Sequence, residues 1–436
     1  MAERSLGERV ETDSKSLTVH KSPRVAGAIF RAWVGQQWAE AAASGLDAAS
    51  LSAAVDGLET RLASATRGSP PPGAASTTVG TVEAAPARPL RDWGTERCVE
   101  WTKDVLKWGM AVPDVRFCQS ALMWSEDERY YLNTAGANCF QRVSRTLGVV
   151  VPVAAENGKS EFNAEIVGSQ GGAEALQGFD EALVTRTAEL ARQLLTAKTP
   201  PSGRMTVILD PGTSGTFAHE SFGHGTEADQ FLRDRTYLKP LLGQMVGPES
   251  LTIVDDGSVP GGWGSIAFDD EGHPGHRTPL IDHGRFVGAL HDRETAAAFG
   301  TEPTANTRRS DFLSRAFVRM TNTIVEPSDW SYDELVKEAG DGVVLERWQS
   351  GMEDPLGGRM QLKVRHGHRI EHGKVTDLVG SMALSGSVVE FLHDIRGVGN
   401  DRLDLSPGMC GKGHGDYLPV GGGGAYLLSR AVVGAA

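Results

Sequence analysis

Apolar residues at Ala26, Ile29, Phe30, Trp33, Val34 and Trp38 recur at the spacing of one helix face, so Ala26 to Ala43 reads as an amphipathic helix. Leu51 to Leu62 repeats the pattern, and a further helix is expected from Arg91 to Met110. Alternating stretches at Arg129 to Thr134 and Thr146 to Pro152 read as strands, and a helix from about Ala173 to Thr199 closes this part of the chain. Between Arg67 and Pro89 the composition shifts to Pro, Ala, Gly, Ser and Thr, which reads as an exposed linker or long loop without a site.

After Pro200 and Pro201 the character changes. Met205 to Leu209 is a short strand of buried type, followed by the turn residues Asp210 to Gly215. Short strands are expected at Leu251 to Asp255, Arg285 to Leu290, Arg359 to Val364 and Gly386 to Phe391, and the glycine-rich end, Gly408 to Gly424, reads as loop. The expectation is an N-terminal α/β lobe over residues 1–200, with the linker or loop at about 67–90. A strand-rich, mostly antiparallel lobe over 201–436 follows and carries the chemistry.

Composition narrows the function classes. The 436 residues are 40% hydrophobic and 23% charged, which leaves room for disorder only locally. A net charge of -13 repels phosphate backbones and argues against nucleic-acid binding. Met1 to Ser16 is studded with charge and lacks the apolar core of a secretory signal. No uncharged apolar run reaches the roughly 18–20 residues that would cross a bilayer. Cys98, Cys118, Cys139 and Cys410 make no disulfide framework and fit a reducing cytosol, so a cytoplasmic protein is expected.

The chemistry concentrates in His219-Glu220-Ser221-Phe222-Gly223-His224, directly after a strand and a glycine-containing turn. In the usual zincin motif two histidines four apart share a helix face, and the intervening Glu acts as base toward the attacking water. Here they stand five apart, roughly 140° around a regular helix at about 100° per residue. One additional residue must be absorbed, and a π-bulge with Gly223 beside the second histidine would do so. A third ligand must come from elsewhere. The candidates are His273, His276, the cluster His366, His368 and His372, and Cys410 with His414. Cys410 is the most attractive, because flanking glycines let its loop approach a metal closely and a thiol beside a dication ionises readily. Arg365 to His368 alternates like a strand with solvated histidines, and the other three cysteines lack ligand spacing. Glu227 and Asp229 are candidates to orient the ligands from behind.

These residues, together with Phe268-Asp269-Asp270-Glu271-Gly272, Arg319-Met320-Thr321-Asn322, Val398-Gly399-Asn400-Asp401 and the Gly408 to Gly413 loop, make the chain resemble the TldD/PmbA family of metallopeptidases. The likeness runs from about Met205 to the end and more faintly through Arg129 to Gly158. The resemblance implies an α+β fold, one zinc ion on His219, His224 and Cys410, and Glu220 as the catalytic general base. It also implies a PmbA-like partner subunit and cleavage of extended peptides. PmbA-like members lack the ligands, so this chain resembles the TldD-type, catalytic half of a heterodimer. The stretch Gly413 to Tyr417 and the proline-rich insertion depart from the pattern.

His414, Arg319 and Asn322 are candidate substrate contacts, and Asp269 to Glu271 reads as a structural turn. Two other functions remain open from sequence: a zinc-dependent amide hydrolase acting on a natural-product intermediate, and a non-catalytic regulatory binding subunit.

Overall fold

The computed structural model describes residues 1–34, 37–63, 71–401, 405–413 and 416–436. The fold is α+β, with strands in both halves. In the N-terminal half β1 (Ala2–Asp13), β2 (Leu17–Val34), β3 (Gln37–Ala43), β4 (Val79–Ala84), β5 (Val115–Leu132), β6 (Asn138–Glu156), β7 (Lys159–Phe162) and β8 (Glu165–Gln170) form one sheet. Its order is β3-β2-β1-β5-β6-β4, with β7 and β8 also on β6. Helices α1 (Ala48–Ala63), α2 (Gly94–Met110) and α3 (Glu181–Leu194) accompany it. Val105 of α2 and Val184 and Ala188 of α3 bury themselves against Val10, Cys118, Leu122 and Val150 of the strands.

Three expectations are corrected here. Residues 26–43 are not a helix: they are the end of β2 and all of β3, paired Ala28↔Ala43 through Trp33↔Trp38. Ile, Phe, Trp and Val fit a pleated surface as well as a helix face. What decides is non-local pairing, since Ala2–Ser5 of β1 dock along Val25–Ala28. Within the 67–90 segment, residues 64–70 lie outside the described residues, and 79–84 is not loop but β4, parallel to β6. The expected helix 173–199 is a 3-10 turn, Ala173–Leu176, then α3. The break comes at Gly178, with φ of 83°, and Asp180 caps α3 by accepting from Leu183 N–H.

In the C-terminal half the strands follow in chain order as β9 (Gly203–Leu209), β10 (Ile253–Asp256), β11 (Arg277–Asp282), β12 (Arg285–Phe286), β13 (Thr307–Arg308), β14 (Phe317–Val318), β15 (Asn322–Val325), β16 (Gly342–Asp354), β17 (Arg359–Glu371), β18 (Lys374–Val379), β19 (Met382–Ser387), β20 (Gly397–Val398), β21 (Ser406–Lys412), β22 (Asp416–Gly424) and β23 (Leu427–Ala435). One sheet runs β16-β9-β23-β19-β17-β18, and pairing of β16 with β17 closes five of its strands into a ring. A second runs β12-β11-β10-β15-β22-β21. Between them lies a core including Val207, Leu209, Phe217, Phe222, Leu345, Leu362, Phe391 and Val433.

Two further corrections concern this half. Gly386 to Phe391 is half strand and half helix, because Ser387 accepts from Glu390 N–H and starts the helix Val388–His393. Within Gly408 to Gly424, residues 408–412 and 416–424 are not loop but the paired strands β21 and β22, and 414–415 lie outside the described residues. Glycines of β22 serve close approach: a Cβ on Gly215 would lie 2.3 Å from Gly423 N, and one on Gly421 would lie 2.2 Å from Asn322 Oδ1. No described helix is long and apolar enough to cross a membrane.

Candidate metal centre

Strand β9 is followed by Asp210, whose carboxylate accepts from Thr213 N–H at 2.7 Å and starts the helix α4 (Pro211–Thr216). The helix continues as a π-helix, Phe217–Gly223, so the turn that carries the motif does absorb one additional residue. Phe217, Ala218 and Phe222 point into the core, which turns His219 and Glu220 the other way. Gly223 lets this turn sit on Met320, whose sulfur would lie 2.2 Å from a Cβ there.

Across from the helix, β21 presents Cys410, paired with Leu418 of β22. Arg319, almost fully buried, pins the hairpin by donating from Nη2 to Cys410 O at 2.5 Å and from Nη1 to Asp416 O at 3.1 Å. Cys410 Sγ lies 3.4 Å from His224 Nε2, and the ring centroids of His219 and His224 are 5.1 Å apart. One ligand atom from each of His219, His224 and Cys410 lies within 4.8 Å of the others, the one such triad among the described residues.

The electrostatics suit a cation. Burial works against ionisation of Cys410, yet His219 and His224 outweigh it and bring the thiol down to about 4. Burial likewise disfavours charge on His224, but Glu227 and Cys410 hold its imidazole well above the usual value. A buried thiolate facing two imidazoles is a donor set that a soft dication would satisfy.

Behind the triad, Glu227 is 1% exposed and approaches His224 Nδ1 at 3.6 Å. Its other oxygen accepts from Lys412 Nζ at 2.7 Å, and Lys412 also donates to Asp229 at 2.9 Å. Burial raises the Glu227 carboxyl, but Lys412 and His224 overcome it and bring it to about 2. Glu220 is one-third exposed, with Oε2 4.0 Å from His224 Nε2. Gly351 of β16 packs against it so closely that a Cβ would lie 2.6 Å from Glu220 Cγ.

The other sequence candidates fall elsewhere. His276 turns to Pro274 O, and His273 keeps an unpartnered buried Nε2 outside the triad. His366, expected to be solvated, is 4% exposed, because Glu346 pairs with it across β16 and β17 and the sheet face is covered. His368 bonds Glu346 at 2.5 Å, whereas His372 is exposed. His414 lies outside the described residues. Asn322 spends its amide on Asp256 O, Ser265 and Gly264 N–H, so it and Arg319 hold backbone together. Asp269, Asp270 and Glu271 are buried, with Asp270 on Arg129 at 2.8 Å and Glu271 on Arg31 at 3.3 Å.

Sequence reading missed Glu353, which lies on the same face of β16 as Gly351. Both its carboxyl oxygens are buried beside the Tyr237 hydroxyl, and burial pushes it up to about 8. It is so far from the motif in the chain that no spacing could reveal it. The Lys412 to Glu227 pair was closer to legible, as each stands two or three residues past a ligand.

Comparison with known proteins places this arrangement in a class. Residues 202–428 match the family described as the PmbA/TldA metallopeptidase C-terminal domain. A metalloprotease from Archaeoglobus fulgidus is 35% identical over 352 residues, covering 80% of each chain. A zinc metalloprotease TldD homolog from Saccharolobus solfataricus is 31% identical over 53% of this chain and 52% of its own. The crystal structure of TldE from Thermococcus kodakarensis superposes with a TM-score of 0.73 at 17% identity, covering 99% of this chain and 95% of that one. The family match and the relative matched over 80% of each chain define a metallopeptidase-type protein. The chain belongs to the PmbA/TldD metallopeptidase family.

Proposed function

We propose that the chain is the metal-bearing, hydrolytic member of a TldD/PmbA-type pair and cleaves peptide bonds in extended peptides. The observation that carries this reading is the convergence of His219, His224 and Cys410 on one point beside an accessible Glu220. A His/His/Cys set favours zinc over harder dications, and a zinc ion held there would polarise the scissile carbonyl and acidify the attacking water. Glu220, one-third exposed, then takes the proton of that water and hands it to the departing amine. Gly351 leaves Glu220 no room to fall back toward β16. Glu227 accepts the orientation of His224 from behind, with Lys412 holding the carboxylate.

The extended substrate is supported by β21. Among the described residues it is the last strand of its sheet, which is where an extended peptide could add as a further strand, although Arg319 already occupies Cys410 O. A cavity of about 820 Å³ borders its start at Leu405, Ser406 and Pro407. The shared fold with TldE supports a PmbA-like partner, and four free cysteines support a cytosolic setting.

Incubating zinc-loaded protein, alone and with a PmbA-like partner, with an unstructured peptide and an acylated small amine separates the readings by mass spectrometry. New peptide fragments are expected. Cleavage of the small amide alone would overturn the peptidase reading.

A further inference from the structure

Strand β16 meets the metal centre a second time, at Glu353. This residue lies two beyond Gly351, the glycine packed on Glu220, and so on the same face of the strand. Its neighbour across on β17 is the apolar Met360. Both its carboxyl oxygens are buried, and beside them is the Tyr237 hydroxyl. Tyr237 is held on both sides. Its backbone N–H donates to Pro355 O at 3.0 Å, and its ring covers Gly358, where a Cβ would lie 2.8 Å from Cδ2. Its hydroxyl donates to Ser221 O at 2.8 Å, inside the turn that carries the histidine ligands.

Hydrogen-bond polarity constrains Glu353. A phenol has one proton, and a carbonyl oxygen can only accept. With that proton on Ser221 O, Tyr237 Oη has only lone pairs to offer, and a carboxylate beside it would set oxygen against oxygen with no hydrogen between them. A protonated carboxyl gives each hydrogen an acceptor: Glu353 O–H donates to Tyr237 Oη, and Tyr237 O–H to Ser221 O. The surroundings agree. Burial raises Glu353 to about 8, with Glu220 and Glu227 adding to the rise against the pull of His224 and Tyr237.

We propose that Glu353 is a positioning residue of the metal centre. Its carboxyl proton completes a line from Glu353 through Tyr237 to Ser221, and that line holds the turn between His219 and His224 at the spacing a shared ion needs. The role deepens the hydrolytic reading above and rests on it for the ion.

Two variants separate the hydrogen bond from packing. Glu353→Gln keeps a donor for Tyr237, whereas Glu353→Met keeps the length of the side chain and loses the donor. Zinc affinity, measured by chelator competition, is expected to stay within about twofold of wild type in Glu353→Gln and to fall roughly 10-fold in Glu353→Met. Metal-free protein gives two more readouts. The infrared band of protonated carboxyl groups near neutral pH should be weaker by one group in Glu353→Gln. The wild-type melting temperature should fall relative to that of Glu353→Gln as pH rises from about 4 to 8, because the folded chain keeps a proton that the unfolded chain releases. These two comparisons need only Glu353→Gln, so they carry the test if Glu353→Met fails to fold. A Met variant that binds zinc as wild type does, equal infrared bands, or parallel melting curves would overturn the proposal. A wild type that takes up no zinc would overturn the metal reading and the positioning role with it, and is told apart because the carboxyl band and the melting difference would remain.

Discussion

Glu227 approaches His224 Nδ1 at 3.6 Å while its other oxygen accepts from Lys412 two residues beyond Cys410, so one buried carboxylate ties together the strand and the helix that supply the triad. Removing it would leave Lys412 with Asp229 as its one remaining carboxylate among the described residues, and would take the acid away from Arg319 Nε and the back of His224. Glu227→Ala is predicted to lower stability by about 3–5 kcal/mol, as for a broken buried pair, and to weaken metal binding roughly 10–100-fold. Denaturant unfolding and competition with a zinc chelator measure the two effects. An Ala variant with unchanged zinc affinity would remove Glu227 from any positioning role.

Glu220 touches nothing that the fold needs, because it is one-third exposed and lies against a glycine. Glu220→Gln is therefore expected to keep its metal and its melting temperature while peptide hydrolysis falls by about 10²–10⁴-fold. Turnover within a few-fold of wild type would transfer the base to another residue, with Glu353 the first acid to examine.

Acid should unfold the protein through neutral buried histidines. Burial brings His366, His273 and His291 each down to about 4. The unfolded chain takes up protons near 6.5 and the folded chain does not, so stability is full above 6.5 and declines as pH falls from 6.5 toward 4. Melting temperatures across that window should drop steeply in wild type and less steeply in His366→Gln. Parallel curves would mean that His366 protonates freely in the fold.

Gly215 and Gly423 hold the helix of the motif against β22 with no side chain between them. Gly215→Ala places a Cβ against backbone that cannot swing aside and should cost about 1–3 kcal/mol in denaturant unfolding. A neutral effect would show that the helix and strand can part without penalty.

The legible parts of the chain were those written locally. His219 and His224 lie within one turn, their spacing demands a π-helix, and one forms over Phe217–Gly223. Cys410 stood out by its flanking glycines. What stayed hidden depends on distant partners. The residues from Ala26 to Ala43 are strands because β1 pairs with them, and no local period records a neighbour at the chain start. The glycines of Gly421–Gly424 looked like loop because glycine marks turns, whereas here it admits Gly215 and Asn322 at close range. Glu353 reached the site only through the register of β16.

The proposed centre takes His219 and His224 from one helical turn and Cys410 from β21 to hold one metal ion. Elemental mass spectrometry of purified wild type beside Cys410→Ser tests it most directly. Close to one zinc per wild-type chain is expected, with marked loss in the variant, since the serine hydroxyl lacks the thiol's ready ionisation. A wild type that is metal-free and takes up no added zinc, or a Cys410→Ser variant that keeps its full complement, would contradict it.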